Sequence, residues 1–346
     1  AAGGQGSVDG ILAPGWDFAF GLTGEDFVEK AAQKGWLIGG QQNVSPSVYS
    51  ESNSFEIKMT LEPIHELRIN LTANRTDTRQ TQTQYVYAGM PRTYGGNFVM
   101  TTIGLKGMFS SSSGATGYAS QAFNQFLHNR EIIAGRIMAQ YHGATYPSSG
   151  FMEGSSLAGQ PVSLETSAVS LNSADVLIPA FLSAYTQRSV GKIGLSAFPS
   201  LSSILPNWNV SYTGLSKTEL LKKYFRNVRI NHAYRGIYNV DSYSSYLGWV
   251  GLANGSNLGF IQDPSDPSTL TPVASMPFDI PFVRLEDSFA PLLGVEVTFM
   301  SGLGINTDYR KTRRLNLNLS AYQLVESNED QITVGMSYKA ENFAKL

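Results

Sequence analysis

From Phe289 to Tyr338, apolar side chains recur at every second position through three successive segments. One set holds Phe289, Pro291, Leu293, Val295, Val297 and Phe299, then Ile305, Thr307 and Tyr309, then Leu315, Leu317, Leu319 and Ala321, and finally Ile332, Val334, Met336 and Tyr338. Between them stand Glu296, Thr298, Asn306, Asp308, Arg310, Asn316, Asn318, Ser320, Gln331, Thr333, Ser337 and Lys339. Successive side chains of a strand point to opposite faces, so the pattern predicts strands with one apolar and one polar face. A transmembrane β-barrel strand needs this, with lipid on one side and a wet lumen on the other. A soluble antiparallel sheet, packed on a protein core, gives the same alternation. Length favours the barrel: Ile305 to Ala321 keeps one parity, through Lys311 and Arg313, beyond the about 3 to 10 residues of most globular strands.

Earlier segments repeat the pattern. Trp16, Phe18, Phe20 and Leu22 alternate after the turn signal Pro14-Gly15 and predict a first strand. Gly24 to Ser50 is irregular, with a short helix over Asp26 to Lys34. A hairpin follows, in which Phe55, Ile57, Met59 and Leu61 oppose Glu56, Lys58 and Thr60, and Leu67, Ile69, Leu71 and Ala73 oppose Arg68, Asn70, Thr72 and Asn74, joined at Glu62 to Glu66. Asn74 to Gln84 continues as a polar ribbon standing above a membrane, and Asn97 to Phe109 returns as a strand. Thr116 to His142 then changes period: Phe123, Phe126, Ile133, Ile137 and Tyr141 form the apolar face of an amphipathic helix. Asp175 to Tyr185 adds an apolar piece interrupted by Pro179. The Ser/Gly stretches Ser110 to Gly114 and Tyr146 to Gly159 read as mobile connectors.

Strands resume with Trp208, Val210 and Tyr212. Ser216 to Glu219 matches a capping box for a short helix over Lys217 to Tyr224, Val228 to Tyr238 is a strand, and Gly251 to Asp279 is a long loop. Barrels have short periplasmic turns and long outer loops. This puts Ser301 to Gly304 in the periplasm, and Gly251 to Asp279 and Val325 to Asp330 outside. The count of crossings does not close around the stretch Ser110 to Pro206, so one strand is miscounted, Gly191 to Phe198 being the suspect. The division expected is strands with an irregular loop over 1–109, a partly helical insertion over 110–206, and strands with long loops over 207–346. The insertion should pack on or inside the barrel, because its apolar stripe has to be buried.

Composition agrees. Charged residues make up 15% of 346, with 34 Gly, 17 Tyr, 18 Phe and no Cys. A net charge of −2 supplies no broad basic field for nucleic acid. No apolar run is long enough for a membrane-spanning helix, Ala1 to Gly10 is not a signal peptide, and the absence of cysteine excludes disulfides and thiolate metal sites.

The segments "PNWNVSYTGLSK" (Pro206 to Lys217), "NHAYRGIYNV" (Asn231 to Val240) and "FAPLLGVEVTF…TDYRKTRRLNLNLSAYQLVESNEDQITVGMSYK" (Phe289 to Lys339) resemble the C-terminal part of the Sov/SprA family, as do "APGWDFAFG" (Ala13 to Gly21) and "ADVLIPAFLSAYT" (Ala174 to Thr186). That family is the outer-membrane translocon of the type IX secretion system of Bacteroidetes. The resemblance runs in family order across most of the chain, which is far shorter than family members. It implies an all-β fold: a transmembrane antiparallel β-barrel segment, one arc of a very large outer-membrane barrel, with a partly helical insertion. It further implies membrane lipid, the remainder of the translocon chain, a shuttle barrel protein at a lateral opening, a periplasmic plug protein and secreted cargo proteins as partners.

No catalytic spacing occurs, and no enzyme activity or cofactor is expected. His65, His128, His142 and His232 are scattered. Asp263, Asp266, Glu326, Glu329 and Asp330 read as solvated loop acids in preference to a calcium site. Trp16, Trp208, Tyr212, Tyr234 and Tyr338 are candidate membrane-interface aromatics, with packing against a neighbouring element as the alternative. Pore-lining candidates are Glu56, Lys58, Arg68, Asn70, Arg229, Asn231, Glu296, Asp308, Arg310, Asn316 and Asn318. The competing readings are a porin-like or nutrient-uptake barrel and, more remotely, a soluble glycan-binding β-sandwich.

Overall fold

The computed structural model describes residues 16–37, 45–84, 92–109, 120–163, 169–186, 188–252, 257–264 and 269–339. Pro14-Gly15, Ser110 to Gly114 and Asp266 lie outside them. The fold is mostly β-sheet. Strands β1 (Ser47–Ile64), β2 (Leu67–Thr83), β3 (Thr93–Thr101), β4 (Asn207–Tyr212), β5 (Phe225–Ser245), β9 (Phe278–Asp279), β10 (Phe282–Phe299), β11 (Leu303–Asn318) and β12 (Gln323–Tyr338) form one antiparallel sheet. Between β5 and β9, the short strands β6 (Val250–Gly251), β7 (Gly259–Gln262) and β8 (Pro272–Ser275) make a small second sheet, where the sequence suggested only loop. The long strands reach 16 to 21 residues, about three times the usual length.

The crossing count fails for a specific reason. β3 pairs with the far half of β2 (Gln82 to Arg75), and β4 pairs with its near half (Thr72 to Leu67). On the other side both pair with β5. β3 and β4 therefore run in the same direction and share one strand position, broken at mid-height. Gly191 to Phe198 is turns, not a missing strand. The chain leaves the sheet after Thr101 and returns at Asn207, so the insertion includes 102–109, where the alternation predicts strand.

Helices α1 (Trp16–Ala19) and α2 (Phe27–Gln33) precede the sheet. The first was expected as a strand. It is a helical turn because Trp16 and Phe20 stack across i and i+4 (5.8 Å) and Phe18 stacks on Phe27 (5.1 Å), with no strand paired beside them among the described residues. No helix forms over 217–224: the 3-10 turn Gly214–Lys217 ends where that helix was expected to begin, turns follow to 224, and Glu219 pairs with Lys222 and does not cap a helix. Residues 325–330 lie inside β12, paired with β11 from Asn316 to Lys311, and the actual turn is 319–322.

In the insertion, α3 (Gln121–Gln140) starts where the Ser120 hydroxyl accepts from the Phe123 amide at 3.1 Å. α4 (Ala174–Tyr185) continues through Pro179. The helices are pinned together by the Asn129 amide donating to the Ser183 hydroxyl at 2.6 Å. Tyr146, in a stretch expected to be mobile, is buried against Phe260.

Candidate functional site

Strand register sorts every side chain onto one of two faces. All the pore-lining candidates share one face. Glu56 and Lys58 on β1, Arg68 and Asn70 on β2, Arg229 and Asn231 on β5, Glu296 on β10, and Asp308, Arg310, Asn316 and Asn318 on β11 occupy matching register positions. Nearby Ser, Thr and Asn complete a face that stays polar along the strands. Its charges pair locally: Lys58 with Glu56 at 3.0 Å, Arg68 with Glu62 at 3.0 Å, Arg229 with Glu296 at 3.3 Å and Arg310 with Asp308 at 3.4 Å. A face built this way is hydrophilic and has little net field.

The opposite face divides into two levels. The end carrying the turns at Glu66 and Ser301 is taken as the lower one. Above mid-height the insertion roofs this face over β3, β5, β10 and β11, while the edge strands β1 and β12 stay largely exposed. Phe126, Ile133, Ile137 and Tyr141 of the predicted stripe are buried, with Phe123 partly buried, against α4 and the sheet residues Phe98, Tyr238, Val283, Leu285, Leu315 and Leu317. This corrects the expected lipid exposure of Leu315, Leu317 and Leu319. They are core residues, because the insertion lies on the apolar face and not on the polar, lumen-like one.

Below mid-height the face is uncovered among the described residues. It carries Phe55 to Leu61 on β1, Leu67 to Leu71 on β2, Trp208 to Tyr212 on β4, Ile230 and His232 on β5, Leu293 to Phe299 on β10, Leu303 to Tyr309 on β11 and Ile332 to Tyr338 on β12, each at alternate positions, while Ala73, Val228 and Tyr234 on the same face are buried. Ile332, Val334, Met336 and Tyr338 are 62% to 73% exposed. On most strands the band spans about seven residues, roughly 20 to 23 Å along the chain, close to the apolar height of outer-membrane barrels.

The band slants across the sheet. One register row, Met59–Leu71–Trp208–Tyr234–Phe289–Lys311–Asp330, crosses all seven strand positions. On β1 it passes through the middle of the apolar set. On β12 it passes above a set that runs from Ile332 down to Tyr338. The band therefore descends about six residues over six strand steps, roughly 20 Å against 29 Å, a slant of about 35° to the rows. Strands of membrane barrels tilt by about 35–45°.

At the junction of the two levels lies a buried polar knot. Asp287 and Arg313 pair at 2.9 Å, both wholly buried. The Tyr234 hydroxyl and the Gly104 amide donate to Asp287 at 2.6 and 3.1 Å, and Arg313 donates to the carbonyls of Gly104 and, at 2.9 Å, Lys106. A side chain at 104 would press its Cβ to 2.6 Å from the Asp287 carboxylate, so glycine is required. The knot ties the start of the insertion to the sheet.

The knot places Tyr234 inside the protein, not at an interface. It is 2% exposed and stacks on half-buried Trp208 at 4.4 Å. Tyr212 and Tyr338 sit at the lower end of the band, and Trp16 lies off the sheet. The knot was not found from sequence; the signal was Lys311 and Arg313 interrupting an otherwise apolar parity. Near the top, Asp175 is buried, accepts from the Met276 amide at 2.8 Å, and is pushed up to about 6 by desolvation. Among the described residues no cluster of side chains suits a metal ion, and no helix is long and apolar enough to cross a membrane. The chain matches no family model and no curated protein sequence.

Proposed function

We propose that this chain is wall from a transmembrane β-barrel of the bacterial outer membrane, with its lower apolar band in lipid and its polar face toward a wide lumen. The slanted band carries this reading. A soluble sheet would bury that face under a second layer, whereas lipid needs a band of constant height crossing tilted strands. Both outer edges, β1 and β12, lack a partner strand among the described residues. Unpaired edges are not tolerated in hydrocarbon, so in this reading both continue into further strands of a larger barrel. Combined with the motif resemblance, the barrel is the protein-conducting translocon of the type IX secretion system. The paired-charge lumen face would pass folded cargo without holding it.

Because the chain has no cysteine, single labels report cleanly. A fluorophore at Val334→Cys should be quenched by spin labels on lipid tails, while one at Thr333→Cys should not. Equal quenching at the two sites, or recovery of the protein without detergent, would end the membrane reading. For export, a photo-crosslinker at Arg229 or Asn306 in the intact translocon should trap cargo in transit. Trapping of small solutes with no cargo would favour an uptake barrel.

A further inference from the structure

Beside the break between β3 and β4, a cavity of about 380 Å³ lies between the insertion and the sheet. Its floor includes Met100 and Tyr238, and its rim carries Arg188, Lys192 and the hydroxyls of Ser200 and Ser202. No carboxylate lines it. The Arg188 guanidinium is half-buried and donates to the Ser203 carbonyl, and burial depresses its proton affinity. Lys192 is exposed on the same rim. Arg136 braces the loop from behind, donating to the carbonyls of Val190 at 2.7 Å and Ile193 at 2.8 Å. None of these three cations has an ion pair among the described residues. A half-buried guanidinium without a counter-ion is only partly solvated, and its fork of donors matches a tetrahedral oxyanion.

We propose that this cavity binds a phosphate group. Arg188 supplies directed donors, Lys192 a second charge, and the serine hydroxyls further donors, over an apolar floor that accepts a carbon substituent. Two sources present that chemistry: a free phosphate, or the headgroup of a lipid. The second is geometrically open, because Met100 lies in the register row of Arg75 and Phe55, where the uncovered band reaches its upper edge on β1. The site itself does not depend on the membrane reading.

The test uses the full chain in detergent, titrated with inorganic phosphate against chloride at matched ionic strength, and in nanodiscs of phosphatidylcholine with or without phosphatidic acid. Binding should be seen by calorimetry or as a thermal shift, and should weaken about tenfold or more in Arg188→Gln and Lys192→Gln. Saturation by inorganic phosphate identifies a free-anion site; a response to phosphatidic acid alone identifies a headgroup site. Arg188 also holds a backbone carbonyl, so Lys192→Gln decides the matter if Arg188→Gln does not fold. No preference for either phosphate source, or wild-type binding by Lys192→Gln, overturns the proposal. The lipid-quenching experiment is unaffected by that result, so the two ideas fail separately.

Discussion

Along β10 and β11 the upper and lower halves of one face carry apolar side chains in the same alternation, yet one half is core and the other is bare. Val283, Leu285 and Leu315 are wholly buried, whereas Val334 and Met336 on the same face are mostly exposed. The difference is the cover, an excursion that leaves the sheet at mid-height and folds back over its upper half. Period-two patterning states that a face is apolar. It carries no information on whether protein or another solvent meets that face.

The junction between the halves should be the most sensitive point. Arg313→Ala leaves the buried Asp287 carboxyl without its partner, and loss of one member of such a pair costs about 3–5 kcal/mol. The lost bonds to the carbonyls of Gly104 and Lys106 should also free the start of the insertion. Denaturant unfolding should show the loss, with hydrogen exchange rising first in 102–109. An intact insertion with only a small change would show that the apolar core alone holds the cover.

The next largest effect separates the halves by solvent. Val334→Arg should cost roughly 2–4 kcal/mol in a bilayer, while Thr333→Arg on the polar face should be mild. In the covered half, Leu317→Ala should cost roughly 2–5 kcal/mol through a cavity in a protein core, in detergent and bilayer alike. Heat-modifiable gel mobility and unfolding in both media compare them. If Val334→Arg is as harmless as Thr333→Arg in lipid, the lower band does not face hydrocarbon.

Within the cover, Asp175 gives a pH signature. Its folded carboxyl holds a proton up to about pH 6, against about 3.8 when exposed, because burial disfavours the charge. The folded state thus binds the proton more tightly. The stabilisation is full below about pH 4 and is lost as pH rises through 6, by up to roughly 3 kcal/mol. Asp263 and Asp279 line a cavity with Asp175, and like charge there also opposes ionisation of a buried carboxyl. Asp175→Asn, which can still accept from the Met276 amide, should flatten the fall in melting temperature between pH 4 and 6. An unchanged slope would assign the pH dependence to other groups.

Much of this was legible in the sequence, for reasons that differ by element. Strand faces were readable because a wet face and an apolar face leave a period of two wherever each is continuous, as in Ile305 to Leu317. The α3 stripe was readable because Ile133 and Ile137 fall one helical turn apart. The shared position of β3 and β4 was not, since nothing in Thr101 or Asn207 records that the two half-strands extend one another across about 100 residues. Nor was Trp16 to Phe20, where an alternating run also fits i, i+4 stacking. Arg313 showed as an irregularity within an apolar parity, but its partner Asp287 lies on another strand and only pairing identifies it.

The smallest expected effect tests the polar face. Arg229 and Glu296 pair at 3.3 Å with both side chains nearly half exposed. Such pairs contribute about 0–1 kcal/mol, because water and salt screen them and holding two long side chains costs entropy. Arg229→Gln leaves Glu296 in water with its charge solvated, so unfolding should shift by less than about 1 kcal/mol, and added salt should remove even that. The comparison is with Arg313→Ala, which removes the same kind of charge from a pair that water does not reach. If Arg229→Gln proved as damaging as Arg313→Ala and insensitive to salt, the polar face would have to be packed against protein, and a lumen could not lie there.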